Sequence, residues 1–395
     1  MNHVRVSSLT LIILIIGSLI SVYVNAQQKP ETYVLKYRVK IINNGNMDYS
    51  LASFNNMTLI VSDDYQKLRD LIIMVNGEKA IFSIAKIDDY GNIILNLKGI
   101  PDKLPPKNSL EIEVEMTIDL YPRSPPKLNV EDSGSIGDIP IELKEKYCQI
   151  AGLWNKSLEA QRIAMELAAN KTNALQILIS MIQWIENNIQ IPFTSGARMP
   201  QYPDETIKMG VGDCDDQSNL LVAMCRSVGI PAYIQFAFIY LEGRRYDETM
   251  FNGRYRLIAK NAGGHAWARV YIPPWGWINV DMTYFSPYKI EGGRLVSINP
   301  LDHITNGAIY ISKTIITENY VKGDYIMNLN NWINELEKYN LSWEEEYSIN
   351  PQTTSAQNII PDPIAIGAVI LLITLTTSMT IIYIKISRKR RHLTT

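Results

Sequence analysis

The sequence predicts an α+β protein, an all-β sandwich segment followed by a mixed segment of helices and strands. Three observations predict it. Apolar and polar residues alternate with period two through residues 32–121; the apolar spacing turns helical at 174–185; and residues 265–281 read as two strands joined by a proline turn.

The all-β reading rests on named positions. Leu110, Ile112, Val114, Met116, Ile118 and Leu120 alternate with Glu111, Glu113, Glu115, Thr117 and Asp119, and Tyr33, Leu35, Tyr37, Val39 and Ile41 alternate with Lys36, Arg38 and Lys40. Each run gives a strand one dry and one wet face. Asn76-Gly77 and Asp89-Tyr90-Gly91-Asn92 supply hairpin turns between further strands. A sandwich over residues 31–122 accounts for these features. Residues 123–140, rich in proline, glycine and serine, read as a linker.

Helical spacing then takes over. Ala174, Ile177, Leu178, Met181, Ile182 and Ile185 form one stripe behind the capping candidates Thr172 and Asn173. Gly212-Asp213-Cys214-Asp215-Asp216 opens a second helix whose apolar face is Leu220, Leu221, Met224, Cys225 and Val228, with Gly229 placed to close it. Residues 233–240 read as a strand. Residues 242–264 are polar and arginine-rich, a flap or solvated loop. His265 to Ile272 alternates, Pro273-Pro274-Trp275-Gly276 turns, and Trp277 to Asp281 returns. A turn centred on residue 273 sets His265 opposite Asp281, and a four-residue loop offsets them by three positions; both put the pair at one end of neighbouring strands. Residues 308–317 read as a strand, 329–340 as a helix and 348–363 as a stalk.

The two ends suggest a membrane. Residues 1–26 carry Arg5, an apolar run over 9–24 and the small-residue site Val24-Asn25-Ala26, the pattern of a secretory signal peptide. Residues 364–384 are uncharged and apolar, enough to cross a hydrocarbon core of about 30 Å. The basic tail 385–395, with Lys385, Arg388, Lys389, Arg390 and Arg391, places the C-terminus in the cytoplasm and the bulk of the chain outside. The expected location is therefore a cell membrane, with the bilayer met through the C-terminal helix. A net charge of -2 gives no reason to expect nucleic acid as a partner.

Three cysteines, Cys148, Cys214 and Cys225, imply no disulfide framework. On one helix, Cys214 and Cys225 stand roughly 16 Å apart along the axis, beyond bridging distance. Cys225 reads as core. Cys214 sits among carboxylates at a helix start, where unpaired backbone N–H groups favour a thiolate and lower the thiol pKa. Cys214, His265 and Asp281 supply a thiol, a base and an orienting carboxylate. The Cys214 backbone N–H is a candidate oxyanion donor, and Gln201 or Tyr202 are candidate side-chain donors. Asp213, Asp215 and Asp216 lack the spaced ligand loop of a calcium site, and four histidines with scattered cysteines form no zinc pattern. No metal or other cofactor is expected.

Gly212-Asp213-Cys214-Asp215-Asp216 with Leu220-Leu221, Arg226 to Ala232, His265-Ala266-Trp267, and Gly276-Trp277 with Asp281 together resemble the transglutaminase-like superfamily over about residues 170–290. The resemblance implies a papain-like α+β core within a catalytic domain at 141–347, with Cys214 as nucleophile, His265 as general base and acid, and Asp281 as orienting carboxylate. Met282 stands where family members often have proline. The implied activity is attack on protein or peptide amides outside the cell through a Cys thioester, leaning to hydrolysis; such families hold both proteases and cross-linking enzymes. The other function class to weigh is an inert adhesion or scaffold protein built on the same fold.

Overall fold

In a computed structural model of the protein, the described residues are 29–192 and 198–352. The expected signal peptide, transmembrane helix and basic tail, and the stalk beyond residue 352, lie outside them. Among the described residues no helix is long and apolar enough to cross a membrane.

The strands of the first segment are β1 (Glu31–Asn43), β2 (Tyr49–Ser50), β3 (Asn56–Val61), β4 (Gln66–Val75), β5 (Glu78–Lys79), β6 (Ile81–Ile87), β7 (Asn92–Lys98), β8 (Lys103–Leu104) and β9 (Ser109–Leu120). Helices α1 (Ile141–Tyr147), α2 (Leu158–Ala168), α3 (Ala174–Asn188), α4 (Pro203–Met209) and α5 (Cys214–Ser227) follow. The chain continues through β10 (Ala232–Met250), β11 (Tyr255–Ile272), β12 (Gly276–Val280), β13 (Tyr288–Glu291), β14 (Arg294–Ser297), α6 (Asp302–Thr305), α7 (Ala308–Ile311), β15 (Thr314–Tyr320), α8 (Tyr325–Lys338) and β16 (Leu341–Pro351).

The alternation of the first segment is realised. Leu35, Val39 and Ile41 of β1 and Leu110, Ile112, Val114 and Ile118 of β9 are buried, and they share one core with Leu59, Leu95 and Leu97 of the smaller sheet β3-β7-β6. Their wet faces carry ladders of opposite charge. Arg38 reaches Glu344 at 2.5 Å and Glu346 at 3.1 Å, contributions of about 0.2–1 kcal/mol each at such partly exposed sites.

This layered segment is not a body apart. β1 pairs with β9 on one edge and with β16 on the other, from Tyr33 opposite Pro351 to Asn43 opposite Leu341. β16 in turn pairs in parallel with β11, so one nine-stranded sheet, ordered β15-β10-β11-β16-β1-β9-β4-β5 with β12 on β11, runs through both halves of the chain. Residues 348–351, expected as the start of a stalk, are the last rungs of that ladder. The reason is visible in their pattern: Leu341, Trp343, Tyr347 and Ile349 alternate and are buried.

Two further segments differ from expectation. Residues 242–264 are neither flap nor loose loop: β10 and β11 continue as a hairpin, with a register shift between Tyr240 and Arg245, as far as Met250 opposite Tyr255. Among its cations, Arg256 pairs with Asp247 at 2.9 Å and Lys260 pairs with Glu346. The segment 123–140 is pinned rather than free. Gly134 N–H donates to Pro273 O at 2.8 Å, and Ala174 N–H donates to Gly134 O at 2.9 Å.

The second core holds the site. α3 presents Ile177, Leu178, Met181, Ile182 and Ile185, as its spacing predicts, and α5 presents Leu220, Leu221, Met224 and Cys225. They meet Ala266, Ala268, Val270 and Ile272, one face of β11. Gly229 follows α5 at φ +80°, where a side chain would be strained, and Ile230 N–H closes back on Cys225 O at 2.9 Å.

Candidate active site

Asp213 caps α5 and Cys214 is its first residue. The cap is closed by Asp216, fully buried, whose Oδ2 accepts the Asp213 N–H at 3.1 Å. Cys214 is half-buried and packs against the core that includes Ala266, the residue after His265, whose N–H is near enough to favour the thiolate. α5 thus carries the thiol to β11 at the level of the histidine.

Asp281 follows β12. The register pairs Ala268 with Val280 and Ile272 with Gly276. Asp281 therefore falls opposite position 267, two residues along from His265 and on the same face, a diagonal relation rather than a direct or three-residue one. His265 Nε2 and Asp281 Oδ2 are 2.8 Å apart, and both side chains are buried. Asp281 accepts three more bonds, from Thr283 N–H at 3.2 Å, Tyr284 N–H at 3.0 Å and Ala308 N–H at 3.0 Å. A carboxylate surrounded by donors is held as an acceptor, so the proton between it and His265 sits on Nε2. Nδ1 then carries the lone pair. Gly307 packs so close that a Cβ there would come within 2.8 Å of the Asp281 Cβ.

Nothing in the sequence pointed to the support behind Asp281. His303, fully buried, bonds the Asp281 carbonyl through Nδ1 at 2.7 Å and Glu186 Oε1 through Nε2 at 2.8 Å, while its own carbonyl accepts the Asp281 N–H at 2.8 Å. Burial alone would raise the Glu186 carboxyl. The hydrogen bond and charge of His303, with the Ser297 N–H, outweigh it and hold Glu186 below the ordinary carboxylate range. His303 lies in a segment without periodicity, and Glu186 lies near the end of a helix read only for its apolar stripe.

The electrostatics of the thiol run against the helix-start argument. Burial pushes the Cys214 thiol well above its ordinary value, and the charges of Asp215 and Asp213 push the same way, against the Ala266 N–H. Asp213, Cys214 and Asp215 each bring a ligand-type atom within 4.8 Å of the others. Burial, with the hydrogen bond and charge of Asp213, also raises the Asp215 carboxyl. A helix terminus contributes about 0.3–1 kcal/mol, too little to reverse desolvation and two adjacent carboxylates. Both effects favour the neutral thiol at rest. Its rate of alkylation by iodoacetamide, followed at Cys214 by mass spectrometry, is therefore expected to climb roughly tenfold per pH unit through the ordinary thiol range. A rate that levels off near neutrality would show a preformed thiolate instead.

The side-chain oxyanion candidates are occupied. Gln201 Nε2 donates to Asp216 Oδ2 at 2.9 Å and to Val211 O at 3.1 Å, and its backbone N–H donates to Asp216 Oδ1 at 2.6 Å. Tyr202 turns its hydroxyl to Asp324 at 3.1 Å and its N–H to Glu205 at 3.0 Å. The buried Asp216 needs donors, and Gln201 supplies them. Neither residue offers a free donor to a substrate.

The description "Transglutaminase-like superfamily" matches residues 161–282, a span that contains Cys214, His265 and Asp281. An uncharacterized protein, YebA of Bacillus subtilis (strain 168), is 33% identical over 96 residues, covering 24% of this chain and 12% of that protein's length. Among solved structures, a candidate cysteine protease from Cytophaga hutchinsonii is similar at TM-score 0.47 and 15% identity, over 83% of this chain and 93% of that one. The periplasmic domain of TgpA from Pseudomonas aeruginosa, bound to ethylmercury, is similar at TM-score 0.29 and 13% identity, over 66% and 91%. Residues 161–282 are a transglutaminase-like domain.

Proposed function

We propose that this protein is a membrane-anchored thiol enzyme that acts on protein or peptide amides outside the cell, with Cys214, His265 and Asp281 as its catalytic residues. One observation carries the reading: His265 is held to a fully satisfied Asp281 carboxylate at 2.8 Å, on the strand against which the helix opened by Cys214 packs. The anchoring rests on the apolar run at 364–384, and the outward placement on the signal pattern of residues 1–26 and the basic tail.

The step begins from a neutral thiol. His265 Nδ1 removes the Cys214 proton as the sulfur attacks the amide carbonyl, and Asp281 stabilises the imidazolium that forms. The C–N bond breaks, the leaving amine takes the proton from Nδ1, and a thioester remains. Water, deprotonated by the same Nδ1, then releases the acid and the free thiol. The oxyanion donor is the Cys214 backbone N–H at the start of α5. An amine in place of water gives cross-linking. Hydrolysis is the favoured outcome for an anchored member.

The second reading, an inert scaffold on the same fold, is favoured by the raised thiol. Incubating the full-length protein with envelope proteins and a labelled primary amine separates the readings by mass spectrometry. New peptide termini are expected. Amine incorporation without new termini would make it a cross-linking enzyme, and neither would make it a scaffold.

A further inference from the structure

On β11 the residues His265, Trp267 and Arg269 alternate onto one face, and on the neighbouring β12 so does Asn279, two residues before Asp281. Trp267 Nε1 donates to Asn279 Oδ1 at 3.0 Å and to Gln235 Oε1 at 2.9 Å, Arg269 Nη1 donates to Asn279 Oδ1 at 3.0 Å, and Asn279 Nδ2 donates to the Tyr310 hydroxyl oxygen at 3.1 Å. Beyond this network lies a cleft of about 990 Å³. Its far wall comes from residues 60–68 and from Arg123, the first residue of the segment that joins the two halves of the chain.

Arg123 has a side chain only 10% exposed and pairs through Nη1 with Asp63 at 3.3 Å, its guanidinium over the Tyr65 ring at 5.0 Å. Its Nη2 and the Nε of Arg269 are both buried with no acceptor among the described residues. The two guanidinia and the Tyr310 hydroxyl are near enough to feel one another's charge. Among the described residues Asp63 is the one carboxylate in an ion pair with either arginine. Tyr310 accepts from Asn279, which leaves its own proton to give. Two unpaired guanidinium donors and a hydroxyl therefore line one cavity that lacks their acceptor. Leaving such donors buried and unmet is costly, and keeping two cations close with the single counter-charge of Asp63 adds to it.

We propose that this cleft is a binding site for an oxyacid anion, a carboxylate or phosphate group that accepts from Arg123 Nη2, Arg269 Nε and the Tyr310 hydroxyl. A planar guanidinium edge matches two oxygens on one centre, and the buried, partly aromatic wall strengthens the pairing. The site abuts the His265–Asp281 pair: the Trp267 ring lies 5.8 Å from the His265 ring, and Tyr310 sits on α7, whose first N–H binds Asp281. It requires both halves of the chain, which gives the first segment a part in ligand recognition. It stands whether or not Cys214 is a nucleophile.

The test is isothermal titration of the purified full-length protein with inorganic phosphate and, separately, succinate. One of them is expected to bind with a dissociation constant of about 1 mM or lower, and the preference between them identifies the group. Arg269→Gln and Arg123→Gln are each expected to weaken that binding about tenfold or more, and Lys36→Gln, on an exposed ladder paired with Glu115, to leave it unchanged. Binding of neither probe, or binding that the arginine variants leave intact, would overturn the proposal. Should those variants fail to fold, phenylglyoxal modification of the unaltered protein decides: the binding probe is expected to protect Arg123 and Arg269, and equal modification with and without it would overturn the site.

Discussion

Cys214→Ala is expected to abolish amide turnover, lowering kcat by roughly five to six orders of magnitude, because the thioester forms on the Cys214 sulfur and Cys225, on the same helix, is shut in the core. The fold is expected to survive. Cys214 is half-buried at a helix start, alanine suits that position, and the cap bonds belong to Asp213 and Asp216 rather than to the sulfur. Cys225→Ala is the matched control. That thiol is fully buried beside the Met181 sulfur at 4.0 Å, so its loss costs stability, about 1 kcal/mol, and leaves kcat alone. The measurement is single-turnover cleavage of a peptide found in the envelope experiment, with circular dichroism as the folding check. Equal turnover by wild type and Cys214→Ala would remove the enzyme reading entirely.

Asp281→Asn comes next in size. The carboxylate accepts from His265 and from three backbone N–H groups. An amide in its place has only one acceptor atom, so its NH2 must face donors on one side. Two effects follow from that geometry. The imidazole loses the partner that fixes its proton on Nε2, and kcat is expected to fall about 10⁴-fold with KM little changed. The unmet N–H groups are expected to cost about 2–4 kcal/mol of stability, read as a lower Tm. A lower Tm with normal kcat would make Asp281 a structural residue only.

The His265–Asp281 contact was legible because its signals are local and ordered: a His-Ala-Trp strand and a return strand ending in aspartate, downstream of the glycine-acid-cysteine helix start. The charge state of Cys214 was not. The helix-start argument considers one turn of backbone, whereas the thiol responds to everything packed around it, including Asp213 and Asp215 on either side. Gln201 was misplaced for a related reason, since its role depends on the burial of Asp216, fifteen positions away. His303 and Glu186 came from segments whose sequence carries no chemistry-bearing pattern.

The fold divides in the same way. Half-exposed strands such as β9 announce themselves by alternation, and α3 and α5 by their apolar stripes. β10 beyond Tyr240 does not, because both faces there are partly wet and its arginines read as loop. The union of the two halves was hidden for a different reason. Leu341 to Ile349 alternate visibly, but their partners Tyr33 to Asn43 lie at the other end of the chain, and no local pattern encodes that pairing.

The placement of β16 bears on how the molecule carries load. β16 is the last described element, and it is gripped along its length by β1 running against it and by β11 running with it. A pull on Pro351 directed along the strand would load the rungs to β1 and β11 together in shear instead of peeling them one at a time.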